Sequence, residues 1–331
     1  MAPPLLHLAS AENKHPSPVM SFQSTIDFEE QAVLLDGWNQ GYGQLSAGGF
    51  EGYVSEIRFD DLHLFMEYSS QSLFQNGQLS DDVIAVGVPI QFNGNGLFCG
   101  SACNHQSMHI FSGKNGFEFF SPTQLLMGGM VIKRAQLASW LSEQDIDIIN
   151  SKTQQTRLMP LEMHKAKSVR VFMSGAFDML NKNPQLLHQA NTRHSLIKTV
   201  MSLLAEGLID NTPMLKANPS SLKCWKIIND TRELVQQHAD SPLSVVDVCN
   251  VLGTSRRTLQ YCFQNLLNTN PAAYLRAGRL NGVRRMLRTS HSVTEAAAQW
   301  GFWHFGHFSQ EYKKMFGELP SVTHKRLHGM H

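Results

Sequence analysis

The sequence predicts an α+β protein with a β domain on its N-terminal side and an all-α domain on its C-terminal side. Between residues 52 and 132, short runs rich in β-branched and aromatic residues are separated by turn residues, as in a small sheet or partial β-barrel. Between residues 244 and 316, apolar residues recur at helical spacing instead. This second segment contains two copies of one unit, in which a Gly-containing turn joins two helices.

Charge is divided unevenly along the chain. Residues 221–331 hold 14 Lys and Arg against 7 Asp and Glu, a net charge of +7, whereas residues 1–220 hold 14 against 20, a net charge of −6. A basic segment attached to an acidic body is typical of a nucleic-acid-binding domain joined to a domain with another role. With 331 residues and 42% hydrophobic content, the chain is long enough for two folded domains.

The N-terminal half is expected to begin with a flexible arm over residues 1–20, which carry four prolines and no periodicity. Residues 21–45 predict a short strand followed by a helix that ends near Gly41. Further strands are predicted at residues 52–68 (with a turn at Asp60 and Asp61), 83–89, 97–111, 117–120 and 125–132. Helices are predicted at residues 168–180 and 195–208. The expected domains are therefore 21–209 and 222–331, joined by a Pro-containing linker at 210–221.

The first helical unit spans residues 244–267. Gly253 allows a sharp turn, and Ser255 can cap the second helix by accepting a backbone N–H. In such a unit the second helix enters the major groove of DNA, where Arg and Gln suit bidentate contacts with guanine and adenine. The predicted DNA contacts here are Ser255, Arg256, Arg257, Gln260, Tyr261 and Gln264. Taken alone, this helix could equally present an ordinary solvated face.

The second unit spans residues 293–316 and turns at Gly301. Phe308 and Tyr312 lie on the predicted core face of its second helix, whereas Phe305 can either pack inside or contact a thymine methyl group. His304 is a poor helix cap, and Gly306 weakens the helix that follows. The predicted DNA contacts of this unit are His304, Phe305, Gly306, His307, Gln310 and Lys314.

Residues 270–289 predict a basic amphipathic helix that links the two units. A continuous helix is a rigid spacer, so it could hold two recognition helices roughly 34 Å apart, which is one helical repeat of DNA. Its predicted DNA contacts are Arg276, Arg279, Arg284 and Arg285.

On these residues, the segment from about 221 to 326 resembles the DNA-binding domain of AraC/XylS-type regulators. The resemblance rests on the SRRTLQ opening of the first recognition helix, the basic linking helix, the AAAQWGF turn and the F-x-x-x-P of residues 316–320. Within that family, the DVCN, RLNGVRR and WGFWHFGHF segments are most similar to the regulator of the ethanolamine-utilisation operon.

The resemblance implies a transcription activator with a cupin-like N-terminal domain and helices that pair two subunits. The implied partners are promoter double-stranded DNA, RNA polymerase, a second copy of the chain in a homodimer, and a small-molecule effector. By the same resemblance the effectors would be ethanolamine and adenosylcobalamin. Control of virulence or quorum-linked genes is the alternative programme.

One group of residues suggests a different class of function. Cys99, Cys103, His105 and His109 have odd numbers, so they would share a face if residues 97–111 formed a single strand. Because Cys and His bind zinc, the alternative is a cupin-type metal enzyme, or a metal or thiol sensor, with a basic DNA-anchoring domain. The spacing is not that of a zinc finger, and the sequence has no nucleophile elbow, phosphate loop or dinucleotide fingerprint. We therefore predict a regulator rather than an enzyme, with these four residues forming part of a pocket wall or packing in the interior.

The cysteines and the hydropathy pattern indicate the compartment. Five cysteines without a secretion signal indicate a reducing cytosol, and Cys224, Cys249 and Cys262 are expected to pack as free thiols on apolar helix faces. No apolar run approaches the ~18 residues of a membrane span. A cytoplasmic protein without a membrane partner is therefore expected.

Overall fold

The computed structural model describes residues 17–209, 219–239 and 241–329. The predicted arm and the predicted linker lie mostly outside these residues, so the expected domain boundaries stay a prediction. Within the described residues, strands occupy the N-terminal part and helices the C-terminal part, which confirms the predicted α+β class. No described helix has both the length and the apolar content needed to cross a bilayer.

Two antiparallel sheets form the N-terminal part. The larger sheet has the strand order β1-β3-β4-β11-β6-β9-β12, and the smaller has the order β2-β5-β10-β7-β8. The strands are β1 (Val19–Thr25), β2 (Gln40–Gln44), β3 (Gly52–Phe59), β4 (Leu62–Ser69), β5 (Leu73–Gly77), β6 (Val83–Gln91), β7 (Gly96–Phe98), β8 (Ser101–Cys103), β9 (Ser107–Phe111), β10 (Phe117–Phe120), β11 (Leu125–Lys133) and β12 (Arg157–Pro160).

Eleven α-helices complete the described chain: α1 (Phe28–Gln31), α2 (Glu143–Thr153), α3 (Met163–Lys182), α4 (Ala190–Leu208), α5 (Pro219–Gln237), α6 (Val245–Val251), α7 (Arg256–Leu267), α8 (Pro271–Met286), α9 (Val293–Gln299), α10 (Phe305–Phe316) and α11 (Pro320–Leu327). Short 3-10 helices lie at Arg134–Ser139 and Pro184–His188. The two predicted helix–turn–helix units are α6–α7 and α9–α10, and α8 is the predicted linking helix.

Three apolar cores stack as layers. Helices α3 and α4 cover one face of the larger sheet, where Val169 and Val200 pack with Ile57 and Val86. The other face of the larger sheet packs against the smaller sheet through a core that is rich in aromatic residues. The far face of the smaller sheet continues into the core of the C-terminal helices, because Phe120 packs in the same cluster as Ile228. The C-terminal helices are therefore attached to the β domain through shared apolar packing.

The interior between the two sheets is almost filled. Phe65 and Phe117 pack edge-on against Trp38, and Phe111 does so with a distance of 4.9 Å between ring centroids. The cavity that remains among these rings measures about 20 Å³. Such a space holds at most a water molecule or two and is too small for an effector.

Local capping explains where the C-terminal helices begin and end. The Ser255 hydroxyl accepts a hydrogen bond from the Thr258 N–H at 3.0 Å, which confirms the predicted cap of α7. Gly253 and Gly301 adopt positive φ angles of 58° and 70° at the two predicted turns. The His304 side chain makes no capping hydrogen bond at the start of α10, as expected from its residue type.

Three sequence-based expectations were wrong. The helix after β1 is a single turn, Phe28–Gln31, and the chain then enters β2 instead of remaining helical to Gly41. Residues 97–111 form β7, β8 and β9 rather than one strand, because the backbone reverses where Cys99 and Gly100 adopt φ angles of 45° and 81°. Cys224 of α5 and Cys262 of α7 form a disulfide rather than packing as free thiols, because their Cα atoms are only 4.9 Å apart.

Candidate nucleic-acid interface

Helix α7 presents a polar face to solvent. Its apolar face, with Leu259 and Phe263, is fully buried. The six predicted contacts on this helix are all exposed: Ser255, Arg256, Arg257, Gln260, Tyr261 and Gln264. In the part of the chain that the structure describes, neither Arg256 nor Arg257 has an ion-pair partner. Two uncompensated guanidinium groups therefore lie at the start of α7, where a DNA base or phosphate could be bound.

Helix α10 has a matching arrangement. Phe308, Tyr312, Met315 and Phe316 form its buried face. The six predicted contacts of this unit lie on the exposed side: His304, Phe305, Gly306, His307, Gln310 and Lys314. Phe305 is 40% exposed, which answers the question that the sequence left open about this side chain.

Sequence reasoning missed one residue of this surface. Trp303 is 69% exposed in the turn before α10, whereas the neighbouring Phe302 is buried. Trp is seldom so exposed, and an aromatic ring just before the N-terminus of a recognition helix can stack on a sugar or a base. The sequence contained a signal for Trp303, because the turn segment GFWHF holds more aromatic residues than the core of the second unit can accommodate.

Arg279 joins helix α8 to the turn of the second unit by hydrogen bonds. Its guanidinium donates to the carbonyl oxygens of Trp300 and Gly301, at 3.0 to 3.1 Å, and lies 4.2 Å from the ring centroid of Phe302. These bonds satisfy carbonyl groups at the end of α9. Arg279 therefore has a structural role in orienting the second unit, in addition to the DNA contact predicted for it.

Arg284 is not available to DNA, which corrects its prediction as a contact. Its side chain is only 3% exposed and forms ion pairs of 3.0 Å with Asp27 and 3.1 Å with Glu318. Asp27 lies before α1 of the β domain and also accepts a 3.0 Å ion pair from Arg326. Burial alone would raise the pKa of Asp27, but the two guanidinium groups and the Glu29 backbone N–H hold this pKa below its ordinary value. Arg284 therefore belongs to a buried charge network between the domains.

Arg276, Arg285 and the nearby Arg288 are exposed and differ in what they contact. Arg276 is exposed and pairs with Glu311 of α10. Arg285 is exposed and borders a small cavity that Gly43 and Leu45 of the β domain also line. Arg288, one turn further, pairs with Glu29 at 3.1 Å. Arg284 and Arg288 therefore both pair with carboxylates of the acidic α1 segment.

Backbone contacts also join the domains. Asn281 of α8 donates to the Gln44 carbonyl at 2.7 Å and accepts from the Gln44 N–H at 2.9 Å. The Gln44 side chain and the Gly48 N–H both donate to the Met315 carbonyl of α10. A Cβ atom on Gly317, the residue that ends α10, would lie 2.7 Å from the Cα atom of Gly49. The recognition helix α10 therefore touches the β domain directly.

The Cys and His group does not form a metal site. Among the residues that the structure describes, no three His, Cys, Asp or Glu side chains are arranged to hold a metal ion. His109 is enclosed by Phe98 and Phe119, and burial lowers its pKa to about 3, so this imidazole is neutral near pH 7. Burial also raises the pKa of the Cys99 thiol to about 11, which disfavours the reactive thiolate.

Comparison with known proteins identifies the segment that carries α7 and α10. Residues 248–326 match the family model described as a helix-turn-helix domain. The segment is a helix-turn-helix domain. This helix-turn-helix domain contains all but the first turn of α6 and extends to the end of α11. The two exposed faces described above therefore belong to a domain type whose second helix enters DNA.

Relatives of the chain are named as regulatory proteins. The chain is 43% identical over 93 residues to a probable thc operon regulatory protein of Rhodococcus erythropolis, a match that covers 27% of this chain and 28% of the relative. It is 32% identical over 95 residues to the XylDLEGF operon transcriptional activator 2 of Pseudomonas putida, covering 28% and 60%. The chain thus matches less than two thirds of the length of either relative. Both are named as regulators rather than as enzymes.

Among solved structures, the chain is similar to a transcriptional regulator of Chromobacterium violaceum described by its AraC-type DNA-binding domain. The identity is 27%, the TM-score is 0.31, and the match covers 32% of this chain and 95% of that one.

Proposed function

We propose that this protein is a sequence-specific DNA-binding transcription regulator of the AraC/XylS type. The observation that carries the proposal is the pair of helix–turn–helix units, each with a buried apolar face and an exposed face of hydrogen-bonding side chains. Arg256, Arg257 and Gln260 would contact bases from α7, and Gln310 would do so from α10. Trp303 and Phe305 would add apolar or stacking contacts beside the second helix.

The geometry of α8 supports simultaneous binding by both units. It is one continuous helix of 16 residues, about 24 Å long. Because it packs in the same core as both units, it fixes their separation. We infer that α7 and α10 enter neighbouring major grooves on one side of a promoter.

We further propose that the regulator acts as a homodimer through α3. Val171 and Met179 lie eight residues apart on this helix and are 63% and 38% exposed, and Gly175 between them has open space around it. An apolar stripe at this spacing faces one side of the helix, where a second copy could cover it. Two copies would double the DNA contacts and support activation through RNA polymerase.

The finer assignment follows from the resemblance in the recognition helices. It supports activation of a metabolic operon of the ethanolamine-utilisation kind in the cytoplasm, with ethanolamine and adenosylcobalamin as the effectors. Control of virulence or quorum-linked genes is the competing programme. The promoters that the protein binds would separate the two.

The test is selection of genomic fragments by the full-length protein, followed by sequencing and by anisotropy titration of the recovered site. We expect a shared motif, and an affinity for it at least about 10³-fold above that for a scrambled duplex. The matched variant is Arg257→Ala with Gln260→Ala, which removes two side chains of the reading face and leaves the α7 core intact. Fragments without a shared motif, or unchanged affinity in this variant, would contradict the proposal.

A further inference from the structure

The two recognition helices begin with side chains of different chemistry. Helix α7 begins with Arg256 and Arg257, whose guanidinium groups suit hydrogen bonds to guanine. Helix α10 begins with Phe305 and Gly306, and Trp303 lies in the turn just before it. The first turn of the second recognition helix therefore presents aromatic rings where the first helix presents two cations.

The core of the second unit does not use these two rings. Trp303 is 69% exposed and Phe305 is 40% exposed. The neighbouring Phe302 and Phe308 are buried and pack together with 5.0 Å between their ring centroids. Among the described residues, neither Trp303 nor Phe305 packs against another aromatic ring. Two large apolar surfaces therefore face water in the free protein, and a partner that covered them would gain free energy by their burial.

Gly306 leaves space for a partner at the same place. It does not adopt a positive φ, and a Cβ atom added to it would meet no other atom within 4 Å. Neither the backbone conformation nor the packing of the protein therefore requires glycine here, although glycine weakens a helix relative to alanine. Without a side chain at this position, a DNA strand can come close to the backbone of α10.

Thymine is the base that suits exposed aromatic rings in the major groove. Its C5-methyl group is the apolar group that distinguishes a base edge there, whereas the other edges present hydrogen-bond donors and acceptors. A phenyl ring cannot form a bidentate hydrogen bond with a purine, but it can exclude water from a methyl group. His304, His307 and Lys314 lie on the same exposed side of α10 and can supply polar contacts around the rings.

We propose that the second unit reads thymine, through contacts of Phe305 and Trp303 with C5-methyl groups, and that Gly306 gives the DNA strand access to the helix. This inference deepens the proposed function and rests on it, because it names the base that one half of the binding site presents. The first unit would read purines through Arg256 and Arg257. The two halves of a promoter site would then be recognised by different chemistry.

The test selects binding sites for the full-length protein from two random-sequence duplex libraries, one synthesised with thymine and the other with uracil. Uracil lacks only the C5-methyl group and pairs with adenine in the same way. We expect the thymine library to yield a motif with conserved thymines in one half. In the uracil library that half should lose its consensus, whereas the other half should be retained.

The outcomes separate this inference from the proposed function. The same complete motif from both libraries would overturn thymine reading and leave the regulator proposal standing. A motif without conserved thymines in either half would do the same. If neither library yields a motif, the regulator proposal is contradicted, and the inference that rests on it is overturned too.

Anisotropy titrations then assign the methyl contacts to residues. Replacing the conserved thymines by uracil should weaken binding of the wild-type protein about tenfold, because two buried methyl groups are lost. The double variant Trp303→Ala with Phe305→Ala should bind the two duplexes with affinities within about twofold of each other. Val322→Ala, which alters a 49% exposed apolar residue of α11 outside both reading faces, should keep the full difference. A full difference in the double variant would overturn the assignment to these two rings.

Gly306→Ala separates helix stability from DNA binding. Alanine favours a helix, so this variant should unfold at a higher temperature than the wild-type protein. It should nevertheless bind the thymine duplex about fivefold more weakly, because its methyl group would occupy the space that the DNA strand needs. Binding as tight as that of the wild-type protein would overturn the role given to Gly306.

Discussion

At the scale of single residues, exposed and buried arginines of the same domain have opposite roles. Arg257 is exposed near the start of α7, and Arg284 is buried between two carboxylates of distant sequence. Both are basic residues on amphipathic helices, and the sequence alone gives them the same predicted role. The difference lies in their partners. Asp27, which pairs with Arg284, is 257 residues away along the chain, so the local sequence around Arg284 does not reveal this partner.

Arg257→Ala should reduce affinity for the recovered promoter site by about 1–3 kcal/mol, because a bidentate Arg–guanine pair contributes that much discrimination. Affinity for a scrambled duplex should fall much less, since one charge is a small part of non-specific binding. The control is Lys325→Ala, which removes an exposed positive charge from α11. Anisotropy titrations at one salt concentration measure the affinity of each variant for each duplex. If Arg257→Ala loses affinity equally for the two duplexes, Arg257 does not read a base.

Arg284→Met should lower the free energy of unfolding by about 3–5 kcal/mol at pH 7, because Asp27 and Glu318 would lose their buried cation. The neighbouring exposed residue provides the control, and Arg285→Met should change stability by only about 0.5 kcal/mol. Urea unfolding measures both variants.

The pH dependence follows from the lowered pKa values of Asp27 and Glu318. A carboxyl whose pKa is depressed by folding stabilises the protein above its unfolded pKa, and this stabilisation is lost as pH falls through the folded pKa. The penalty of Arg284→Met should therefore shrink below about pH 4, where a protonated Asp27 no longer needs a cation. A penalty that is constant from neutral to acid pH would refute the charge network as its cause.

At the scale of elements, local patterns predicted much of the structure. The strands β3 and β4, the turn between them and the helices α6 to α10 follow from periodicity, glycine position and capping residues, all of which act within a few residues. The reversal at Cys99 and the single-turn α1 could not be predicted in this way. The first places a non-glycine residue at positive φ, and the second ends a helix because the chain must pair as β2 with β5.

The candidate site, like the elements, could be predicted only where local patterns determine it. Exposed side chains on α7 and α10 follow from helical periodicity, but periodicity cannot tell which partner covers a basic helix face. DNA phosphates and the carboxylates of Asp27 and Glu29 are both anionic, so the arginines of α8 fit either. The buried ion pair between Asp27 and Arg284 likewise forms only when both domains are in place.

Val171→Glu should convert a dimer of the full-length protein to a monomer, because it places a charge in the exposed apolar stripe of α3. Val33→Glu is the control, since Val33 is 74% exposed elsewhere on the β domain. Sedimentation equilibrium gives the mass of each variant. A wild-type protein that is monomeric, or a Val171→Glu protein that remains dimeric, would exclude this interface.

The link between α5 and α7 gives a further prediction at this scale. Reduction of the Cys224–Cys262 disulfide should lower the stability of the helical domain by up to about 4 kcal/mol, because the bond closes a loop between residues 38 positions apart. Alkylation before reduction should label the half-buried Cys249 but neither Cys224 nor Cys262. Labelling of all three to the same extent would show that the bond is not formed.

At the scale of the whole molecule, charge and packing are distributed differently. The net positive charge lies in the last third of the chain, whereas three apolar cores occupy successive layers from α3 through both sheets to α8. We expect the affinity of the full-length protein for duplex DNA to fall steeply with salt, with a slope in log–log form of about −0.9 per phosphate contact. Anisotropy titrations between low and moderate potassium chloride measure this slope, and a flat response would exclude electrostatic binding by the basic domain.

The close approach of Gly317 and Gly49 has a consequence for the genetics of this chain. Gly317 has a φ angle of 78° and no room for a Cβ atom, so a side chain there would strain the end of α10 and push it away from the β domain. Random mutagenesis that selects for altered promoter output should therefore recover substitutions at Gly317, although this position lies outside the proposed DNA-reading face of α10. Their phenotype would be a change in response to the inducing condition, with the preferred operator sequence unchanged.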